Sequence, residues 1–167
     1  MNPFLIQFIG GIGYTLLGLS YFKQKKSNIL FMQIIAYVMF TIHYYLLNGT
    51  TGAICNLIGL FSLIIIYIFE RYNLKHKNIM VFITIILLII INLFTFQNIY
   101  SIFPMVASVV VIFSFLIDDE ELIRKVGIIA AVCWLIYAIV YKSYIAIVFE
   151  VLTLISVCVA FFKNHNK

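Results

Sequence analysis

Long blocks of apolar residues, separated by short polar connectors, dominate the pattern along this chain. Each block is 16 to 19 residues long, close to the roughly 20 residues that a helix needs to cross a 30 Å hydrocarbon layer. No connector between the blocks exceeds nine residues, which leaves no room for a soluble domain. The pattern predicts an all-α membrane protein in which residues 1–167 form a single membrane domain with seven transmembrane helices. The blocks are residues 4–22, 29–47, 51–69, 79–96, 101–117, 126–141 and 144–162.

Composition supports the same conclusion. Hydrophobic residues make up 65% of the chain and charged residues only 10%, whereas a typical soluble domain carries about 25% charged residues. The mean hydropathy is +1.14. A net charge of +5 would suggest nucleic-acid binding in a soluble protein. In a membrane protein, the positions of the basic residues instead indicate which connectors lie on the cytoplasmic side. We therefore expect the lipid bilayer, and no nucleic acid, as the surroundings of this chain.

The basic residues are distributed asymmetrically between the two sets of connectors. Because consecutive spans alternate in direction, ten of the eleven basic residues fall on one side of the membrane, and Lys142 alone falls on the other. Basic residues accumulate on the cytoplasmic side. We therefore predict that the N-terminus lies outside and the C-terminus lies in the cytoplasm. The ten are Lys23, Lys25, Lys26, Arg71, Lys75, Lys77, Arg124, Lys125, Lys163 and Lys167.

A shift of 94 residues aligns the first three blocks with the last three without a gap. Identities are few, but the connectors coincide, and Asn48-Gly49 aligns with Lys142-Ser143. Three spans reverse the direction of the chain, so two three-helix units can be parallel only if one more helix joins them. The sequence thus predicts a parallel 3+1+3 repeat, with repeat one at 4–69, a linker helix at 79–96 and repeat two at 101–162. Repeats of this kind are typical of transporters with a ligand site at the repeat interface.

Several short motifs resemble known families. This architecture is similar to the SWEET and PQ-loop fold, and more closely the chain resembles the YgjV-type family of small bacterial inner-membrane proteins. The resemblance implies a multi-pass protein of the bacterial cytoplasmic membrane. At the positions of the paired proline–glutamine signature of PQ-loop proteins, the chain instead has Gly10-Gly11 and Pro104-Met105. The motifs are Gly10-Gly11-Ile12-Gly13-Tyr14 with Leu17-Gly18, the run 42–49 with Asn56, Phe103-Pro104, and Trp134 with Glu150.

Polar residues inside the predicted spans are the candidates for ligand contact, because a polar group in hydrocarbon must be matched or compensated. Glu150 is the one acidic residue well inside a span, roughly 10 Å from its outer end. Asn56 is its counterpart at the 94-residue offset and lies at the same depth. In SWEET-type transporters the equivalent helices carry an asparagine pair that contacts the substrate. Asn56 matches that pattern and Glu150 departs from it.

Further candidates lie at similar depth in the same outer layer. His43 has Tyr137 as its counterpart in the second repeat, and a histidine and a glutamate at one level can exchange a proton or hold a cation. Two aromatic residues, Tyr14 and Trp134, are predicted to form walls of the pocket. The predicted substrate-binding set is Asn56, Glu150, His43, Tyr137, Trp134, Tyr14, Asn92 and Ser108.

Each candidate also has a purely structural interpretation. Glu150 can accept a hydrogen bond that joins the two halves, and intramembrane asparagine is often an interhelical contact. Gly10 and Gly11 are hinge candidates or simply permit close helix approach, and Pro104 is a hinge candidate or a proline tolerated in the first helical turn. The acidic run 118–121 (Asp118, Asp119, Glu120, Glu121) is typical of a solvated cytoplasmic turn, and its role is left open.

Catalytic and metal-binding motifs are not recognised in the sequence. The chain has no HExxH, no GxSxG and no pair of intramembrane aspartates. Its three cysteines have no CxxC spacing. We therefore expect no enzymatic activity, no cofactor and no metal site.

The sequence favours a SWEET-like transporter or facilitator that moves a small polar solute, such as a sugar, nucleoside or vitamin-like compound, by alternating access. Coupling to a proton is left open. A monomer would suffice for the pathway, and a homo-oligomer is also compatible with the sequence. The alternatives are a non-transporting seven-helix receptor or binding protein, and a partner subunit of another membrane protein.

Overall fold

The computed structural model describes residues 2–20, 22–23, 26–72, 74–114, 116–117 and 120–165. The described residues form seven α-helices and no β-strand, and each predicted apolar block coincides with one helix. A 3-10 turn at Ile99–Ser101 leads into the fifth helix. The helices are α1 (Pro3–Ser20), α2 (Lys26–Leu46), α3 (Thr50–Arg71), α4 (Lys77–Phe94), α5 (Ile102–Ser114), α6 (Glu120–Val140) and α7 (Tyr144–His165).

The largest difference from the predicted ends is at α6, which begins at Glu120 instead of residue 126. The last two residues of the acidic run thus belong to the first turn of a helix, where acidic residues interact favourably with the helix dipole. Asp118 and Asp119 lie outside the described residues, as do Lys25 and Lys167.

Three helical segments are long and apolar enough to cross a membrane, namely Pro3–Ser20, Asn28–Leu46 and Thr50–Phe69. Four further apolar helical segments are shorter, at Asn78–Phe94, Ile99–Ser114, Lys125–Val140 and Tyr144–Cys158. Helices suit such sequences because a helix satisfies its own backbone hydrogen bonds, which hydrocarbon cannot do. The fold is that of a helical protein rich in membrane-compatible segments.

Six of the helices pack as a closed ring. In ring order, α1 contacts α2, α2 contacts α3, α3 contacts α5, α5 contacts α6, α6 contacts α7, and α7 returns to α1. The helix α4 lies outside this ring against α3 and α5, where Val81 and Leu88 pack with Ile58 and Ile112. The ring positions one face of each of its six helices toward a common centre.

Two tight hairpins, α2–α3 and α6–α7, have the same backbone geometry. Asn48 (φ 60°) and Lys142 (φ 55°) both adopt the left-handed conformation immediately after the preceding helix. The next residue in each case bonds five residues back, Gly49 N to Tyr44 O and Ser143 N to Ala138 O, both at 2.9 Å. This is the Schellman arrangement, which satisfies the last carbonyl groups of a helix and turns the chain within three residues.

Candidate functional site

A cavity of about 640 Å³ occupies the centre of the six-helix ring. All six ring helices contribute side chains to its wall, and α4 contributes none among the described residues. Most of the wall is aliphatic, with a few polar and aromatic groups. That size and composition are typical of a small-molecule pocket. Of the predicted substrate-binding residues, Tyr14, Asn56, Trp134 and Glu150 line the cavity.

Glu150 supplies the negative charge on the cavity wall. It is partly exposed, and its Oε1 accepts a hydrogen bond from the Tyr14 hydroxyl over 3.3 Å. The Tyr14 ring is fixed between Phe149, with centroids 4.7 Å apart, and Phe40, at 4.6 Å. No Lys, Arg or His lies among the described wall residues. The carboxylate therefore faces the cavity without a basic partner on that wall.

Asn56 lies on α3 at the same helical depth as Glu150 on α7, since each is six residues beyond the first residue of its helix. It is only 4% exposed. Its Nδ2 donates one of its two hydrogens to the Gly52 carbonyl at 2.9 Å, which leaves the Oδ1 atom and the second N–H for other partners. Asn56 accepts no hydrogen bond from a described residue.

Tyr44 is a cavity residue that the sequence analysis did not select. Its side chain is 1% exposed, it lines the cavity, and its hydroxyl makes no hydrogen bond of standard geometry, although it lies near the Ser143 and Tyr14 hydroxyls. A buried polar atom without a partner is rare in proteins, since losing water without compensation costs roughly 1–3 kcal/mol. The ring lies 5.4 Å from that of Trp134, which forms the adjacent wall.

A regular stripe on α2 could have identified Tyr44. Gln33, Tyr37, Phe40 and Tyr44 recur at intervals of three or four residues, which places them on one helix face, and all four line the cavity. Tyr44 and Tyr45 look equivalent in sequence, but their positions relative to this stripe differ by 100° around the helix. Tyr45 is accordingly exposed at 67%.

His43 and Tyr137 do not line the cavity but lie fully buried beyond its hairpin end. His43 Nδ1 bonds the Ile6 carbonyl at 2.8 Å and Nε2 bonds the Ser143 hydroxyl at 2.6 Å. Because a carbonyl oxygen can only accept, Nδ1 carries the hydrogen, and in the neutral ring Nε2 accepts from Ser143. His43 thereby joins α1 and α2 to the α6–α7 hairpin.

Tyr137 makes the reciprocal connection. Its hydroxyl accepts from the Gly52 backbone N–H at 2.9 Å, so α6 binds the first turn of α3. First-turn N–H groups have no partner within their own helix, and Tyr137 supplies one. Any Cβ at Gly52 would lie 2.4 Å from the Tyr137 ring, so glycine is what permits this contact.

Two glutamines complete the polar contacts at this end. Gln7 of α1 donates to the Lys142 carbonyl at 3.0 Å and accepts from the Ile145 N–H at 3.2 Å. Gln97, in the α4–α5 connector, donates to the Thr50 hydroxyl at 3.1 Å and accepts from the Tyr141 hydroxyl at 3.2 Å. We call the contacts of His43, Tyr137, Gln7 and Gln97 with the two hairpins the hairpin clasp. The clasp closes one end of the cavity.

The opposite end of the cavity is more open. There its wall reaches Ser114 at the end of α5 and Ile123 near the start of α6. Ile123, Thr153 and Ser156 are exposed wall residues, in contrast to the buried Tyr44 and Asn56. Among the described residues, the cavity is thus closed at the hairpins and accessible toward the basic connectors.

Asn92 and Ser108 are also buried but do not line the cavity. Asn92 accepts from Cys55 Sγ at 3.2 Å and donates to the Leu88 carbonyl at 2.8 Å, which joins α4 to α3. Four of the eight predicted substrate-binding residues thus line the cavity. His43, Tyr137 and Asn92 instead have hydrogen-bond partners within the protein. No group of three or more His, Cys, Asp or Glu among the described residues could hold a metal ion.

The hinge candidates lie near the clasp. Pro104 is buried in the first turn of α5, directly after the 3-10 turn. A Cβ at Gly10 would lie 2.8 Å from His43 Nδ1, whereas one at Gly11 would make ordinary contact with Ile145 at 3.7 Å. Gly10 thus permits the close approach of α1 that brings the Ile6 carbonyl to His43. Their hinge role stays a prediction.

Comparison with known proteins identifies a family but no characterised relative. No curated protein and no solved structure is significantly similar to this chain. Residues 4–167 match the family Imp-YgjV, described as a bacterial inner membrane protein. This confirms the predicted resemblance to YgjV-type proteins and the predicted location, and the apolar helices fit a multi-pass protein. The chain belongs to the Imp-YgjV family of bacterial inner membrane proteins.

Proposed function

We propose that this protein is a SWEET-like transporter or facilitator that moves a small polar solute across the bacterial inner membrane by alternating access. The observation that carries the proposal is the central cavity of about 640 Å³, which has a carboxylate on its wall and a hydrogen-bonded closure at the hairpin end. In this proposal all seven helices span the membrane. The hairpin clasp lies outside, and the basic connectors lie in the cytoplasm.

The positions of the wall residues support two parallel three-helix repeats. Six pairs of wall residues are separated by 94 positions, so that equivalent faces of both halves meet at the cavity. The hairpin hydrogen bonds repeat at the same spacing, as Gly49–Tyr44 and Ser143–Ala138 show. The pairs are Leu17 with Val111, Gln33 with Gly127, Tyr37 with Ala131, Phe40 with Trp134, Asn56 with Glu150, and Leu63 with Val157.

Alternating access would then be a rocking motion of the two repeats about the cavity. The clasp consists of discrete side-chain contacts, which can break without unfolding a helix. In the inward-facing arrangement a solute bound at Asn56 and Glu150 would exchange with the cytoplasm through the accessible end of the cavity. Breaking the His43–Ser143 and Tyr137–Gly52 contacts would open the hairpin end. We assign no catalytic role to these residues.

The test is solute release from proteoliposomes loaded with a defined mixture of monosaccharides, nucleosides, vitamins and amines. We expect at least one solute to leave faster than from protein-free vesicles, and Glu150→Gln and Asn56→Ala to abolish that release. The variant Glu70→Gln, which removes a carboxylate from the last turn of α3, is the matched control.

Two results would contradict parts of this proposal. Release that is unchanged in both cavity variants would show that the central cavity is not the path. A solute that raises the melting temperature but never crosses the vesicle membrane would indicate a receptor or binding protein instead, because a ligand bound to the folded state stabilises it whether or not it is transported.

A further inference from the structure

Several hydrogen-bond donors on the cavity wall are already used within the protein. Each of three wall hydroxyls donates to a carbonyl of its own helix: Ser114 to Val111, Thr153 to Phe149 and Ser156 to Leu152, at 2.7 to 2.9 Å. One N–H of Asn56 and the Tyr14 hydroxyl are also engaged, with Gly52 and Glu150 respectively. The donors that remain on the described wall are the Trp134 indole N–H, the Gln33 amide, the second Asn56 N–H and the Tyr44 hydroxyl.

Three groups near the closed end of the cavity can accept hydrogen bonds from a ligand. The Glu150 carboxylate has more lone pairs than the single bond from Tyr14 uses. Asn56 Oδ1 is unpaired within the described chain, and the buried Tyr44 hydroxyl makes no hydrogen bond of standard geometry. The Tyr44 oxygen can accept as well as donate. A ligand with several N–H donors can therefore be received at this end of the cavity.

The electrostatic balance indicates the same chemistry. Glu150 has no basic partner on the described cavity wall, and a carboxylate in low-dielectric surroundings needs a compensating cation or a proton. Aromatic rings flank it: Tyr14 donates to it directly, and Phe149 stacks on Tyr14. The faces of aromatic rings attract organic cations.

We infer that the cavity takes a primary organic ammonium, whose three N–H donors are received by Glu150, Asn56 Oδ1 and the Tyr44 hydroxyl. The inference rests on the proposed function and specifies its substrate class. The apolar body of the ligand extends along the aliphatic wall formed by residues such as Leu17, Leu63 and Val126. Gln33, eleven residues from Tyr44 along α2 and thus about 16 Å away, can meet a polar group at its far end.

The chain contains a fluorescent reporter at this site. Trp134 is its single tryptophan, it lines the cavity, and it packs against Tyr44. The purified full-length protein is titrated with 2-phenylethylamine and with 2-phenylethanol, a pair that differs mainly in the ammonium group. We expect saturable quenching by the amine and at least about tenfold weaker binding of the alcohol, as loss of a charge-assisted hydrogen bond predicts.

Variants locate the effect. Glu150→Gln keeps the shape of the side chain and is expected to abolish the preference for the amine over the alcohol, whereas Glu70→Gln is expected to retain it. Glu150→Asp, which keeps the charge, should preserve part of the preference and so separates loss of charge from misfolding. Tyr44→Phe should weaken the binding of 2-phenylethylamine more than the binding of its trimethylammonium analogue, because the analogue has no N–H to donate.

Equal binding of the amine and the alcohol, or a preference that survives Glu150→Gln in a folded variant, would overturn the inference. If the trimethylammonium analogue binds as tightly as 2-phenylethylamine, the assignment of three N–H donors is wrong. Vesicle flux distinguishes this inference from the proposed function. Binding of the amine without flux of any solute contradicts transport alone, and flux of a neutral solute without amine binding contradicts the ammonium site alone.

Discussion

The two hairpins share one backbone geometry but differ in the side chains around them. Both have a left-handed residue after the helix and the same pair of backbone hydrogen bonds. At positions 94 residues apart, however, His43 corresponds to Tyr137 and Asn56 corresponds to Glu150. His43 reaches the second hairpin through Ser143, and Tyr137 reaches the first through Gly52. The two hairpins thus have the same backbone conformation, but the side chains that connect them to each other differ.

The helices α3 and α7 differ in a similar way. The helix α3 packs against three helices, α2, α4 and α5. Among the described residues, α7 packs mainly against two, α1 and α6. Residues of α7 between 151 and 158 are consequently mostly exposed. Asn56 is buried and bonded to its own helix, while Glu150 remains partly exposed to the cavity. The less packed helix carries the carboxylate.

The largest effect is expected from Gly52→Ala. The new Cβ would lie 2.4 Å from the Tyr137 ring, which is fully buried and cannot move without breaking the clasp, so overpacking should cost about 2–3 kcal/mol. The equivalent position in the second half is already alanine, Ala146. The melting temperature in detergent measures the loss. The control Gly127→Ala, whose Cβ meets no atom within 4 Å, should not destabilise, and equal stability of the two variants would contradict the contact.

A smaller loss is expected from Tyr137→Phe. The variant removes the acceptor of the Gly52 N–H and leaves that buried donor unpaired, at a cost of about 1–2 kcal/mol. Thermal unfolding of the variant provides the measurement. Tyr45→Phe serves as the matched control, because Tyr45 is exposed at 67%. If both variants have the same melting temperature as the wild type, the Tyr137 hydrogen bond does not stabilise the clasp.

Ser143→Ala tests the opposite side of the clasp. It removes the 2.6 Å bond to His43 Nε2, which should cost about 1 kcal/mol, less than Tyr137→Phe. Ser156→Ala, which removes a hydroxyl bonded only to its own helix, is the control in the same melting experiment. A larger loss from Ser156→Ala than from Ser143→Ala would contradict a cross-half role for Ser143.

The smallest effect is expected at the left-handed residues, and it has the opposite sign. Lys142→Gly should stabilise the protein by about 0.5–1 kcal/mol, because glycine avoids the steric cost of a positive φ. Asn48→Gly should gain less, since asparagine tolerates this conformation better than lysine. Denaturation of both variants side by side gives the difference. A loss of stability in Lys142→Gly would contradict the left-handed assignment.

Several features of the site could be predicted because they follow from local pattern. The depth of Glu150 and Asn56 follows from counting residues along a helix, and both line the cavity. The stripe containing Tyr44 was equally available in the sequence. By contrast, the spacing that pairs His43 with Tyr137 does not reveal that both side chains turn toward the hairpins, away from the cavity. That direction depends on how closely α1 and α3 approach them at Gly10 and Gly52.

The sequence by itself determined the helices, their approximate ends and the membrane location, because hydrocarbon accepts only long apolar helices with internally satisfied backbones. It also determined the positions of the two hairpins, through connectors of only two or three residues. Only the tertiary structure decided that six helices close into a ring with α4 outside it, and which polar groups remain unpaired. Those outcomes depend on contacts between residues as far apart as Tyr14 and Glu150, and neither helix periodicity nor hydropathy specifies such long-range contacts.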